Sequence, residues 1–148
     1  MKRIAALLLS VWLGVQLGFG YVVAPILFAN LDKMVAGQLA GQLFHVSNYM
    51  GLLAWLVILV VLKRRSAWEL GSGDKRVRVL VCVLLALFAI SEFAITPTIA
   101  ALKAGETTLL ANWLSGSFKV WHGVSSVFHL LQSLLGLGLM VKLVRLQN

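Results

Sequence analysis

The chain has 148 residues, 60% of them hydrophobic and 12% charged, with a mean hydropathy of +0.93 and a net charge of +8. Soluble domains carry about 25% charged residues, so this chain lacks the polar surface that water requires and reads as an integral membrane protein. The cations do not point to nucleic acid: all but Lys33, Lys103 and Lys119 lie at the termini or between residues 63 and 78, flanking apolar runs, and no basic tract or nucleic-acid motif is present.

After Lys2 and Arg3, the first apolar run covers residues 4–29. It exceeds the roughly 7–15 residues of a signal-peptide core and no cleavage site follows, so an uncleaved first span is expected. Gly14 and Gly18 stand four residues apart, the spacing of close helix packing; a dimer seam is the alternative. Pro25, near the end of this run, is expected to kink it and free carbonyls.

Residues 32–44 are expected to form a short interfacial helix leading into the second run, 43–62. Gln38, Gly41, His45 and Asn48 recur there at helical spacing. The connection 63–77 is basic, and its Gly71-Ser72-Gly73 is expected to be a flexible turn.

The third run, 78–99, contains the single cysteine, Cys82, which excludes an intrachain disulfide and reads as a small buried hydrophobe. It also carries Glu92, the one acid within a run. An ionised carboxylate in hydrocarbon costs about 2.5–3.5 kcal/mol on insertion scales, so Glu92 must face the bundle, find a partner or hold a proton. Pro97 repeats the placing of Pro25.

The fourth run, 120–141, opens as "VWHGVSSVFHLLQS". His122 and His129 are two turns apart on one face, with Ser125, Ser126, Gln132 and Ser133 on or beside it. His129 falls at a depth similar to Glu92, which places the two within reach. Their contact reads either as a structural bond joining two spans or as a proton, ion or substrate site. Ser125 and Ser126 beside His122 mimic a nucleophile–base pair, but helical hydroxyls usually bond their own backbone. There is no P-loop, GxSxG, HExxH or paired-carboxylate motif, so the expectation leans away from an enzyme.

Each run reaches the roughly 20 residues that cross the hydrocarbon as a helix. Residues 1–148 therefore form a single all-α domain, a membrane four-helix bundle. The distribution of Lys and Arg sets it N-in and C-in, with a cytoplasmic 63–77 loop, in a bacterial inner membrane. "VVAPILFANL" and "AITPTIAALK" both place a proline near the outer end of an odd-numbered span. Phe44-His45 and Trp121-His122 open the spans that follow, an outline of two parallel helical-hairpin repeats.

The segment "GVQLGFGYVVAPILFANLDKMVAGQLAGQLF" resembles the first half of the transmembrane protein 205-like family of small four-span proteins. The matching elements include Leu27-Phe28, Leu31, Gly37, Gly41 and Leu43-Phe44. His122-Gly123, Ser125 and Ser126 match that family's His-Gly-x-Ser-Ser pattern. The resemblance implies four spans and brings no established reaction. It also implies that His122 belongs to the pattern, whereas His129 stands where relatives tend to carry asparagine and His45 where the pattern fixes nothing.

Three functional expectations follow. The leading one is a non-enzymatic membrane protein with a polar outer-half pocket built from Glu92, His122 and His129, with Ser125, Ser126, His45 and Asn48 at hand. It would bind or pass a small solute, ion or metal, or assist a membrane complex. The second is a haem- or copper-binding redox protein using His45, His122 or His129, with Met34 or Met50 for copper. The family pattern counts against it, since a two-histidine site would be peculiar to this chain. The third is a structural subunit docking a second copy or a membrane-protein partner through Gly14 and Gly18.

Overall fold

The structure, a computed structural model, describes residues 2–66, 72–113 and 116–145, and all its elements are helical. Four helices are long and apolar enough to cross a membrane: Leu7–Asn30 (span one), Lys33–Lys63 (span two), Lys75–Lys103 (span three) and Phe118–Lys142 (span four). The protein is a multi-pass all-α membrane bundle.

Span two belongs to one unbroken helix, Lys33–Ser66. The expected interfacial helix at 32–44 is thus its opening turns, started where the Asp32 carbonyl accepts the Ala36 N–H at 2.8 Å. At 1.5 Å per residue, those turns carry it past the roughly 30 Å hydrocarbon core. The expected turn at Gly71-Ser72-Gly73 is corrected in part. Ser72 and Gly73 already belong to the helix Ser72–Ile90, and Gly71 lies outside the described residues.

The two prolines act through a shared device. Residues Phe19–Val23 and Ser91–Ile95 each form a five-residue π turn, with Pro25 and Pro97 two residues beyond. The Ala24 N–H bonds the Phe19 carbonyl and the Thr96 N–H bonds the Ser91 carbonyl, five residues back instead of four. A proline ring collides with the carbonyl four residues before it and donates no hydrogen bond; widening the preceding turn removes the collision. Spans one and three thus share one irregularity in one register, which supports the two-hairpin outline.

Span two packs on spans one and three, and span four packs on three and closes against one. The end of the bundle bearing Pro25 and Pro97 is called the proline end here. Towards the other end the core is apolar, with Leu9, Leu13, Ala54, Ile58, Val77, Val81, Leu84 and Leu139 buried around Trp12, Trp55 and Phe88. The Trp12 ring meets Trp55 and Phe88 edge to face, at centroid distances of 5.5 and 5.6 Å. Its seat is made by two glycines: a Cβ on Gly136 would run into the indole six-membered ring, and one on Gly51 would lie 2.8 Å from Nε1. Cys82, expected to be buried, is exposed on the outside of the bundle. It lies in the lipid-facing belt, where a thiol behaves as another small apolar group.

Candidate functional site

A buried polar layer lies one helical turn from the aromatic layer, on its proline side. The offset is the same on all four spans: Gln16 is four residues from Trp12, Ser47 from Gly51, Glu92 from Phe88 and Gln132 from Gly136. Four residues is one turn on one face, so helices that bring the first set together also bring the second together. All four polar side chains are buried, Gln16 and Gln132 completely.

One limb of the layer centres on Gln16. Its Oε1 accepts the Ser47 hydroxyl at 2.6 Å, and its Nε2 donates to His129 Nδ1 at 3.1 Å and to Gln132 Oε1 at 3.4 Å. Gln132 Nε2 in turn donates to the Leu87 carbonyl at 3.1 Å. Because Nδ1 of His129 accepts, a neutral ring carries its proton on Nε2. That nitrogen is buried without a hydrogen-bond partner and lies against Gly20, where a Cβ would overlap it. Phe44 and Tyr21 wall the ring, at centroid distances of 4.9 and 5.8 Å.

The other limb centres on Glu92, only 5% exposed. Its Oε2 accepts the Asn48 amide at 3.1 Å, and its Oε1 pairs with His45 Nδ1. Asn48 also reaches Ser91 Oγ at 3.4 Å. The His45 side chain is 50% exposed and stands edge to face on the exposed Tyr49. The acid therefore sits inside the bundle behind a histidine that lies half on the bundle's outer surface. A π turn holds it there: Glu92 is the second residue of the Ser91–Ile95 turn, and the Thr96 hydroxyl adds a bond to the Ser91 carbonyl at 2.9 Å.

The sequence-derived site is thus rearranged. Glu92 pairs with His45, on span two, and not with His129; Asn48, also on span two, lies beside it. His122 does not join the pocket: it is exposed, its ring stacked on Phe118 at 5.9 Å. Ser126 and Ser133 bond back to the carbonyls of His122 and His129, and Ser125 is half-buried with no part in the network. Seven residues along span four advance the helix by two nearly complete turns, but two turns are about 10 Å. That distance carries His122 out of the layer and into the exposed end.

Gly14 and Gly18 are not contact points within the chain, since a Cβ on either meets nothing. Close approach falls instead to Gly20, Gly51 and Gly136. Gln16 was the residue that sequence reasoning passed over. Its signal was available: an amide side chain in an apolar run, one turn from a tryptophan.

Among the described residues no three His, Cys, Asp or Glu gather into a metal-binding group. The three histidines have separate partners, Met34 is exposed, and Met50 packs on the apolar core. The arrangement offers one buried carboxylate ringed by N–H donors.

Fold and site together define a small helical membrane protein with a buried, hydrogen-bonded polar layer across its four spans. Residues 7–108 match the family described as "Domain of unknown function (DUF4149)", and the chain belongs to that family. It is 32% identical over 143 residues to an uncharacterized protein of Aquifex aeolicus (strain VF5), an alignment covering 97% of this chain and 96% of that protein. No solved structure matches.

Proposed function

We propose that this chain is a non-enzymatic membrane protein that takes a small cation or hydrogen-bond-donating solute into its polar layer at Glu92. The observation carrying this reading is a buried carboxylate in a membrane span, reached past a half-exposed histidine. A buried acid is costly in hydrocarbon, and a π turn places this one; π turns recur at functional sites. Access is one-sided, because Trp12, Trp55, Phe88 and the aliphatic core fill the bundle beyond the layer. The positive-inside rule puts the basic loop and both termini in the cytoplasm, so the site faces the outer side of a bacterial inner membrane. The likeness to the transmembrane protein 205-like family supports the four-span plan and brings no reaction.

The test is thermal unfolding of the detergent-purified protein against a panel of monovalent and divalent cations, small amines and pH. A ligand that binds the folded state raises the midpoint. At least one condition should raise it in the wild type and not in Glu92→Gln. A panel to which both proteins respond identically overturns the reading.

A further inference from the structure

We infer that the species held at Glu92 is a proton, and that His45 is the group through which it enters and leaves. This rests on the proposed role of Glu92 and goes beyond it by naming the ligand and its route.

The donor set decides the ligand. Ca²⁺ takes 6–8 oxygens and Mg²⁺ demands an octahedral shell. Around Glu92 the near groups face it with nitrogen: the Asn48 amide on Oε2 and His45 Nδ1 on Oε1. An amide N–H offers a cation nothing. Ser91 Oγ accepts from Asn48. Of the two groups on the carboxylate, the Asn48 amide can only donate, whereas the His45 imidazole can both give and take a proton, so a proton has a route to Glu92 that a metal ion lacks.

The surroundings leave few competitors. Span two brings His45 and Tyr49 towards this region, and span four brings His129, whose Nδ1 is held by Gln16. On the acid's own span the nearest cation towards the proline end is Lys103, eleven residues on, whose ammonium donates to the Gly37 carbonyl at 3.2 Å. Among the described residues, His45 is the one that both touches the carboxylate and is exposed.

The step is a simple transfer. A proton from water adds to His45 Nε2, giving an imidazolium. The Nδ1 proton then passes to Glu92 Oε1, leaving a neutral imidazole and a carboxylic acid. Release runs the same path backwards. No charge accumulates in the apolar half, because the proton enters and leaves at the same end.

The experiment is infrared difference spectroscopy of the protein in lipid vesicles, wild type minus Glu92→Gln, after a downward pH jump. The difference isolates Glu92 from the acids outside the spans. A protonated-carboxyl band should grow in, insensitive to added sodium. In His45→Ala it should appear slower by about a hundredfold, the scale of a lost acid–base group, and free imidazole in the buffer should restore the rate. A band equally fast in His45→Ala overturns the route. A band that sodium suppresses overturns the proton and leaves the cation reading standing. If no band forms while other cations still stabilise the protein through Glu92, the proton is likewise excluded. If neither band nor stabilisation is seen, both readings fall.

Discussion

The two π turns invite comparison, because the backbone does the same thing in both and the side chains do not. In the first, Phe19–Val23, the second residue is Gly20; in the second, Ser91–Ile95, it is Glu92. Each faces a histidine that follows a phenylalanine, Phe128-His129 opposite Gly20 and Phe44-His45 opposite Glu92. Three residues past each histidine stands an amide, Gln132 or Asn48. Where the turn carries glycine, the histidine ring moves into the vacant Cβ position and is walled by aromatics. Where it carries glutamate, the histidine stays half outside and pairs with the acid. One geometry therefore yields a packed site and an open one, and the difference is a single side chain. In this pairing it is Phe128-His129, and not Trp121-His122, that lies opposite a π turn as Phe44-His45 does.

The comparison breaks most severely at Gly20. Gly20→Val drives a branched side chain into the His129 ring and should cost about 3 kcal/mol, the upper range for overpacking, measured by denaturant unfolding in detergent. Glu92→Ala should cost about 2 kcal/mol, since it takes from the buried Asn48 amide the nearer of its two acceptors and from His45 its partner; Glu92→Gln, which keeps an acceptor oxygen, should lose about half as much. The link between turn and ring is read by a double-mutant cycle of Gly20→Ala and His129→Ala. Removing the ring makes room for the methyl, so the pair should be more stable than additivity by about 1 kcal/mol. Additive behaviour there would show that the ring does not depend on the glycine. The smallest effect belongs to Gly14→Ala and Gly18→Ala. Both glycines face open space, and each change should alter stability by no more than about 0.5 kcal/mol. A larger loss that depends on protein concentration would instead reveal a second copy on that face.

The four spans, the inward placing of Glu92 and the clustering of cations were all legible in the sequence. Each depends on a local property: apolar length against bilayer thickness, the cost of a buried charge, or charge beside a span. Helical period was legible too, which is why His45 and Asn48, and His122 and His129, were each grouped on one face, though His122 lies exposed. What period cannot supply is the register between helices. His129 and Glu92 lie at similar depth, yet depth does not say which neighbouring span each side chain meets. Only the tertiary structure decided that Glu92 meets span two and His129 meets span one. The physical reason lies one turn away: the Trp12 ring fits only where Gly51 and Gly136 leave it space. That fit locks three spans along their axes, and Phe88 against Trp12 locks the fourth. Once those four residues share a level, the next turn must bring Gln16, Ser47, Glu92 and Gln132 to another.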